Sequence, residues 1–294
     1  MAAPTQDQPA HYANRNAGWL AFNARVLEEA ENDRNPLLER VKFLSITARN
    51  LDEFFEIRLA ALLQQVEDGV RETSQDGLTP AQQLELMAPR LHAFVERQYR
   101  CWNLQLRPQL AQVHIRLLDW DELTRPQRAF ANDLCHRELD PLLTPVTIDP
   151  AHPFPRVQNK ALCLAFLLHR KRTNNGMLMG VVTVPRALPR LIRLPSNPEE
   201  QAFILLAQLA ARHARSMYRG YRMLASASFR VTRNSNLYQQ EEESRNLLET
   251  VRDELHNRRK GNAVRLEVEQ GAEAEVVERL RANFELEPWQ VFSQ

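Results

Sequence analysis

The sequence predicts an α+β protein, with an all-helical N-terminal domain followed by a mixed α/β domain. Three observations carry that reading. Up to about residue 107 the apolar residues recur at three- and four-residue steps, the period of a helix with one buried face. Beyond Pro108 short β-branched or apolar runs alternate with helical stretches. The composition, 44% hydrophobic and 26% charged, is that of a chain able to bury a core. With 294 residues there is room for about two domains. The expected division is a disordered polar leader over 1–14, a helical domain over 15–107 and an α+β domain over 108–294.

Trp19, Leu20, Phe22, Val26, Leu27 and Ala30 place a first helix from about Ala17 to Glu31. Asn35 is expected as N-cap of a second, with Pro36 at its first position, where a missing N–H costs nothing. That helix sets Leu37, Leu38, Val41 and Leu44 inward and ends near Ala48. Asn50 with Glu53 three residues later reads as a capping box opening a third helix, with Leu51, Phe54, Phe55, Leu59, Leu62 and Val66 on its core face. Gly69 and Gly77 bracket its exit. Thr79 and Pro80 open a long fourth helix that carries Pro89 inside it, and Pro108 is expected to close it. Strands are predicted at Val113–Leu117, Val146–Ile148, Leu162–His169, Met177–Val184, Phe229–Arg233 and Ala263–Glu269. Helices are predicted at Arg125–Glu138, Glu199–Tyr218, Gln239–Arg259 and Glu273–Asn283.

Several function classes are excluded at this level. The longest apolar run, Ala161 to Leu168, is far short of the roughly 20 residues of a membrane-spanning helix. The first eleven residues lack the basic start and apolar stretch of a secretory signal, so a cytoplasmic location is expected. Cys101, Cys135 and Cys163 have neither a CxxC pair nor an even count, and read as buried thiols. The phosphate-cradling patterns GxxxxGK[ST] and GxGxxG are missing, and Gly176 with Gly180 gives only an isolated GxxxG. No GxSxG elbow occurs, and the eight histidines show no HExxH or similar spacing, so no catalytic residue and no metal ligand is assigned. His152, held among Pro150, Pro153 and Pro155, reads as part of a rigid entry turn. Asp52, Glu53 and Glu56 read as first-turn carboxylates stabilised by the helix dipole.

Charge is segregated although the total is only +1. Residues 1–107 hold 12 basic and 15 acidic side chains, 108–155 hold 4 and 7, and 234–294 hold 8 and 13. Residues 156–233 hold 14 basic groups against Glu199 and Glu200 alone, a net of +12. Such a block either faces acidic segments of the same chain or binds a polyanion, nucleic acid and phosphate polymers included.

Four stretches, Asn14–Ala30, Asn35–Leu63, Asp149–Phe166 and Phe229–Leu237, resemble the histidine-phosphorylated polyphosphate kinase family, in that family's order. The resemblance implies an N-terminal helical domain and a head, or middle, domain, with the catalytic C-terminal domains absent from these 294 residues. It implies ATP as substrate, reversible transfer of its terminal phosphate to polyphosphate, and Mg2+ held only through the absent catalytic domains. It also implies that Asn50, in RNLDEFF, contacts ATP, while the helix-cap reading of the same side chain stands beside it. Where the family commonly has an acidic LLEDVI followed by LFPGY, this chain has LLAQLAARHARSMYRGY, and Gln208, Arg212 and Arg215 make this helix unusually basic. Arg212, Arg215, Arg219 and Arg222 are the candidate polyanion-binding residues. Expected partners are polyphosphate or another polyanion, and a second copy of the chain or a full-length family member. Two functions follow as alternatives: part of a polyphosphate kinase, inactive alone, or a non-catalytic polyanion-binding or dimerisation module derived from one.

Overall fold

A computed structural model describes residues 12–148, 154–170, 177–235 and 261–294. They fall into two compact units, Met1–Asn103 with Thr232–Arg265, and Leu104–Val231 with Leu266–Gln294. Residues 1–11 of the leader expected over 1–14, the entry turn at His152, Gly176 and the helix expected at Gln239–Arg259 lie outside the described residues, whereas Asn14, expected in the leader, caps the first helix.

The first unit is helical. α1 (Arg15–Glu31) is capped by Asn14, whose side chain accepts from the Ala17 N–H at 2.9 Å. It buries Leu20, Asn23, Leu27 and Ala30, while Phe22, expected inside, is 59% exposed. α2 (Leu37–Glu53) packs against it. Two expectations fail here. Asn35 does not cap α2, because its side-chain amide donates to Glu29 instead, at 2.9 Å to the carbonyl and 2.8 Å to the carboxylate. Leu38 is exposed, and the inward position is taken by Arg40, which donates to the Ala30 carbonyl at 2.8 Å and so satisfies the free carbonyls at the end of α1.

The break expected near Ala48–Asn50 is also absent. α2 runs through Asn50 into a π-helical segment, Phe54–Leu59, and on into α3 (Ala60–Glu67). Thr47–Leu51 contains no Gly or Pro to stop a helix, and the Asn50 side chain bonds across to α1 rather than to local N–H groups. Asp52, Glu53 and Glu56 therefore sit in a helix interior, not in a first turn. α4 (Pro80–Cys101) opens at Thr79 and Pro80 as expected, contains Pro89, and is closed at its start by a capping box of Thr79 and Gln82 that had not been anticipated.

The second unit begins with residues that correct another expectation. Pro108 does not end the helical region: it lies near the start of α5 (Arg107–Gln112), which continues directly from a π-helical turn ending at Leu106. A three-stranded sheet follows, in the order β1 (Ile115–Leu117), β6 (Gln201–Leu205), β5 (Leu191–Leu194). β6 is parallel to β1 and antiparallel to β5. Gln201–Leu205 was expected to be helical. Pairing on both sides makes it a strand, with Ala202 and Ile204 buried in alternation, and only Leu206–Ala214 forms the helix α7. α6 (Arg125–Leu134) continues as a π-helical segment, Cys135–Leu139.

The larger sheet has the order β2 (Val146–Ile148), β4 (Met177–Thr183), β3 (Leu162–Arg170), β7 (Tyr221–Arg233), β8 (Ala263–Val268), β9 (Val291–Ser293). β3 is antiparallel to both neighbours and almost wholly buried, as its unbroken apolar run requires. β7 is far longer than the predicted Phe229–Arg233, and β5 and β9 were not anticipated. α8 (Ala274–Asn283) follows β8. The core of this unit joins α6, α7 and the two sheets through Leu134, Leu164, Phe166, Ile204, Leu209 and Tyr218. The three cysteines are free and buried, and burial pushes the Cys135 thiol up to about 11. Among the described residues no helix is long and apolar enough to cross a membrane.

Candidate functional site

Asn50 is half-buried on α2 and belongs to a chain of polar side chains through the helical unit. Its Nδ2 donates to Asn23 Oδ1 at 3.1 Å, and Asn23 Nδ2 donates to the Thr47 carbonyl at 3.0 Å. Thr47 Oγ1 donates to the Leu44 carbonyl at 2.7 Å and accepts from Gln98 Nε2 at 2.8 Å. Asn23 and Thr47 are fully buried, so each needs these partners to offset its desolvation. One Nδ2 hydrogen is used inward, which leaves Oδ1 to accept from an incoming N–H or O–H donor and the second Nδ2 hydrogen to donate.

Asp52, Phe54 and Phe55 of RNLDEFF are tied into the fold. Asp52 forms an ion pair with Arg265 of β8, which is 1% exposed and within the same unit. Arg265 also donates to Thr232 Oγ1, at 3.2 Å from Nε and 3.0 Å from the terminal nitrogen, and its guanidinium lies 4.3 Å over the Phe55 ring. Phe54 stacks on Trp19 with centroids 4.6 Å apart. Neither Asn23 nor Arg265 was singled out in the sequence. Asn23 had a signal: it interrupts, at helical spacing, an otherwise apolar stripe between Leu20 and Leu27. Arg265 had none, since its partner lies 213 residues away.

The four candidate arginines lie in the other unit, all at exposed positions. Arg212, on α7, places its guanidinium 4.2 Å over the Trp120 ring. Arg215 and Arg219 flank the end of α7 and the turn beyond it, and Arg222 is on β7, opposite His169. Arg215, Arg219 and Arg222 make no ion pair among the described residues. Arg215 lines a cavity of about 300 Å³ with Tyr218, Tyr221 and strand residues 223–226. Tyr218, between the arginines, is buried and anchors this segment: its hydroxyl donates toward the carbonyls of Val146 at 3.1 Å and Val181 at 3.4 Å. Gly180 makes room for it, since a Cβ there would lie 2.7 Å from the tyrosine ring and 2.9 Å from Leu168. Part of the cationic block is neutralised within the fold: Arg230 makes a two-pronged pair with Glu267, at 2.6 and 2.7 Å.

Fold and geometry thus define a class, an α+β protein with a hydrogen-bonded helical unit and a mixed-sheet unit carrying exposed cations. A family model described as the polyphosphate kinase N-terminal domain matches residues 12–118, and one described as the polyphosphate kinase middle domain matches residues 126–294. The chain belongs to the polyphosphate kinase family. It is 42% identical over 266 residues to a polyphosphate kinase of Halalkalibacterium halodurans, covering 90% of this chain and 38% of that protein. A polyphosphate kinase of Thermosynechococcus vestitus is 38% identical over 291 residues, covering 97% and 40%. The crystal structure of polyphosphate kinase from Porphyromonas gingivalis superimposes with a TM-score of 0.73 over 96% of this chain and 39% of that one, at 23% identity. The chain therefore spans about two fifths of the length of these relatives, and its fold is theirs.

Proposed function

We propose that the chain supplies the N-terminal and middle portion of a cytoplasmic polyphosphate kinase, in which ATP and polyphosphate meet catalytic groups outside these 294 residues. The observation that carries this reading is the match of two consecutive family domains across 12–118 and 126–294. In this reading Asn50 contacts ATP through Oδ1, accepting from a donor such as the adenine amine or a ribose hydroxyl. The network behind it supports the role, because Asn23 fixes the amide and removes the entropy of orienting it on binding.

Phosphoryl transfer needs a nucleophile, a metal and cationic clamps placed together. The described residues around Asn50 offer a neutral amide and a neutralised ion pair, and no such set. In this reading the 294 residues by themselves transfer no phosphate, and Mg2+ is bound with the catalytic domains. Incubation with γ-labelled ATP tests this: no acid-labile, alkali-stable phosphate on the protein and no polymer are expected. Either product, after removal of host enzyme, overturns the proposal.

A second reading is favoured by one observation, the exposure of Arg215, Arg219 and Arg222 without ion pairs. In it the chain retains polyphosphate, or pairs with a second copy or a full-length enzyme. Salt-sensitive retention of polyphosphate, weakened when these arginines become alanine, supports it. Equal retention by the variant, or none by either, removes it.

A further inference from the structure

We propose that His136, Asp140 and His213 form a binding site for one divalent transition-metal cation of the zinc type, tying α7 to the segment that follows α6. The three residues come together from two places in the chain, all within one unit. His136 lies in the π-helical segment after α6, Asp140 follows it, and His213 occupies the last turn of α7. His136 Nδ1 is 3.3 Å from one Asp140 carboxylate oxygen, and His213 Nε2 is hydrogen-bonded to the other. The two imidazoles meet edge to face with centroids 5.3 Å apart. One donor atom from each residue lies within 4.8 Å of the other two.

Around a tetrahedral ion with bonds of about 2.1 Å the donors stand about 3.4 Å apart. Closing from the observed spacing takes a modest turn of the His136 ring, whose side chain is 71% exposed. His213 is the fixed member, its side chain only 10% exposed. Two imidazoles and one carboxylate favour zinc, cobalt, nickel or copper over magnesium or calcium, which prefer all-oxygen shells. Nearby cations are directed elsewhere: Arg137 pairs with Asp133 at 3.0 Å and Arg212 is held over Trp120. The exposed side of the cluster leaves the remaining coordination positions to water.

The test uses the full, untagged chain and Zn2+ alone, titrated calorimetrically beside His136→Ala, His213→Ala and the double variant. Co2+ absorption in the visible serves as a second readout. The expected result is one Zn2+ per chain, indifferent to excess Mg2+, with affinity falling at least about tenfold in each single variant. The Co2+ bands and a Zn2+-dependent rise in Tm should disappear with the double variant. If His213→Ala fails to fold, the exposed His136→Ala decides alone. Zinc uptake by the wild type no greater than by the double variant overturns the site, leaving two histidines that merely share a carboxylate.

Discussion

The surroundings of Asn50 and the arginines near the end of α7 solve opposite problems. Around Asn50 the polar groups are largely buried and partnered: Asn23, Thr47, Gln98, Asp52 and Arg265 all have partners inside the helical unit. Around Tyr218 the anchoring groups are buried, but the charges of Arg215, Arg219 and Arg222 stand in solvent. A buried polar network fixes one atom in one direction, which suits a small ligand. Exposed, flexible cations meet a repeating polyanion in many registers, at little cost to the fold.

Substitutions can break this contrast. The largest effect is expected from Asp52→Ala, which strands the guanidinium of Arg265 in the interior: stability should fall by about 3–5 kcal/mol, read from urea denaturation. A loss below about 1 kcal/mol would mean that the pair is not a buried one. Next is Gly180→Ala, whose methyl overlaps a tyrosine ring held by backbone carbonyls. A loss of about 1–3 kcal/mol and weakened polyphosphate retention are expected, because the arginine-bearing turn depends on Tyr218.

Asn50→Ala should cost about 1 kcal/mol by leaving Asn23 Oδ1 without its donor, while lowering ATP affinity in an enzyme complete with its catalytic domains. Unchanged ATP affinity there would reduce Asn50 to a structural residue. A smaller, pH-dependent effect is expected at Asp76. Its partial burial opposes ionisation, but hydrogen bonds from Ser74 and Asn14 outweigh it and hold its carboxyl below the usual range. A folded-state value below the unfolded one gives stability that is present above the ordinary aspartate range and lost as pH falls through the lowered value. Asp76→Asn should flatten that part of the acid-unfolding profile relative to wild type.

The smallest effect on stability, within about 0.5 kcal/mol, is expected from changing Arg215, Arg219 and Arg222 together to alanine. The same variant should reduce both polyphosphate retention and the slope of its salt dependence, as each lost contact releases fewer counterions. A large stability change would show that these side chains belong to the fold after all.

The helical period placed α1, α2 and α4 in advance, and Thr79 with Pro80 marked the start of α4, because both are signals carried by neighbouring residues. β2, β3 and β4 were legible for a similar reason, as short apolar runs bounded by turn residues. The failures were of two kinds. Asn50 with Glu53 has the spacing of a capping box, but with no breaker before it the helix continues and the amide bonds a partner 27 residues away. Gln201–Leu205 has apolar residues compatible with either period, and pairing with β1 and β5 chose the strand.

The amino-acid order by itself determined the division into helical and mixed regions, the cationic block, and the blocks that mark the family, because each is a property of neighbouring residues. Tertiary structure alone decided that Arg40 and Arg265 go inside, that Leu38 and Phe22 stay outside, and that His136 and His213 share Asp140. Whether a charge is buried depends on the partner that the fold delivers to it, and for Arg265 that partner is Asp52, more than two hundred residues earlier in the chain.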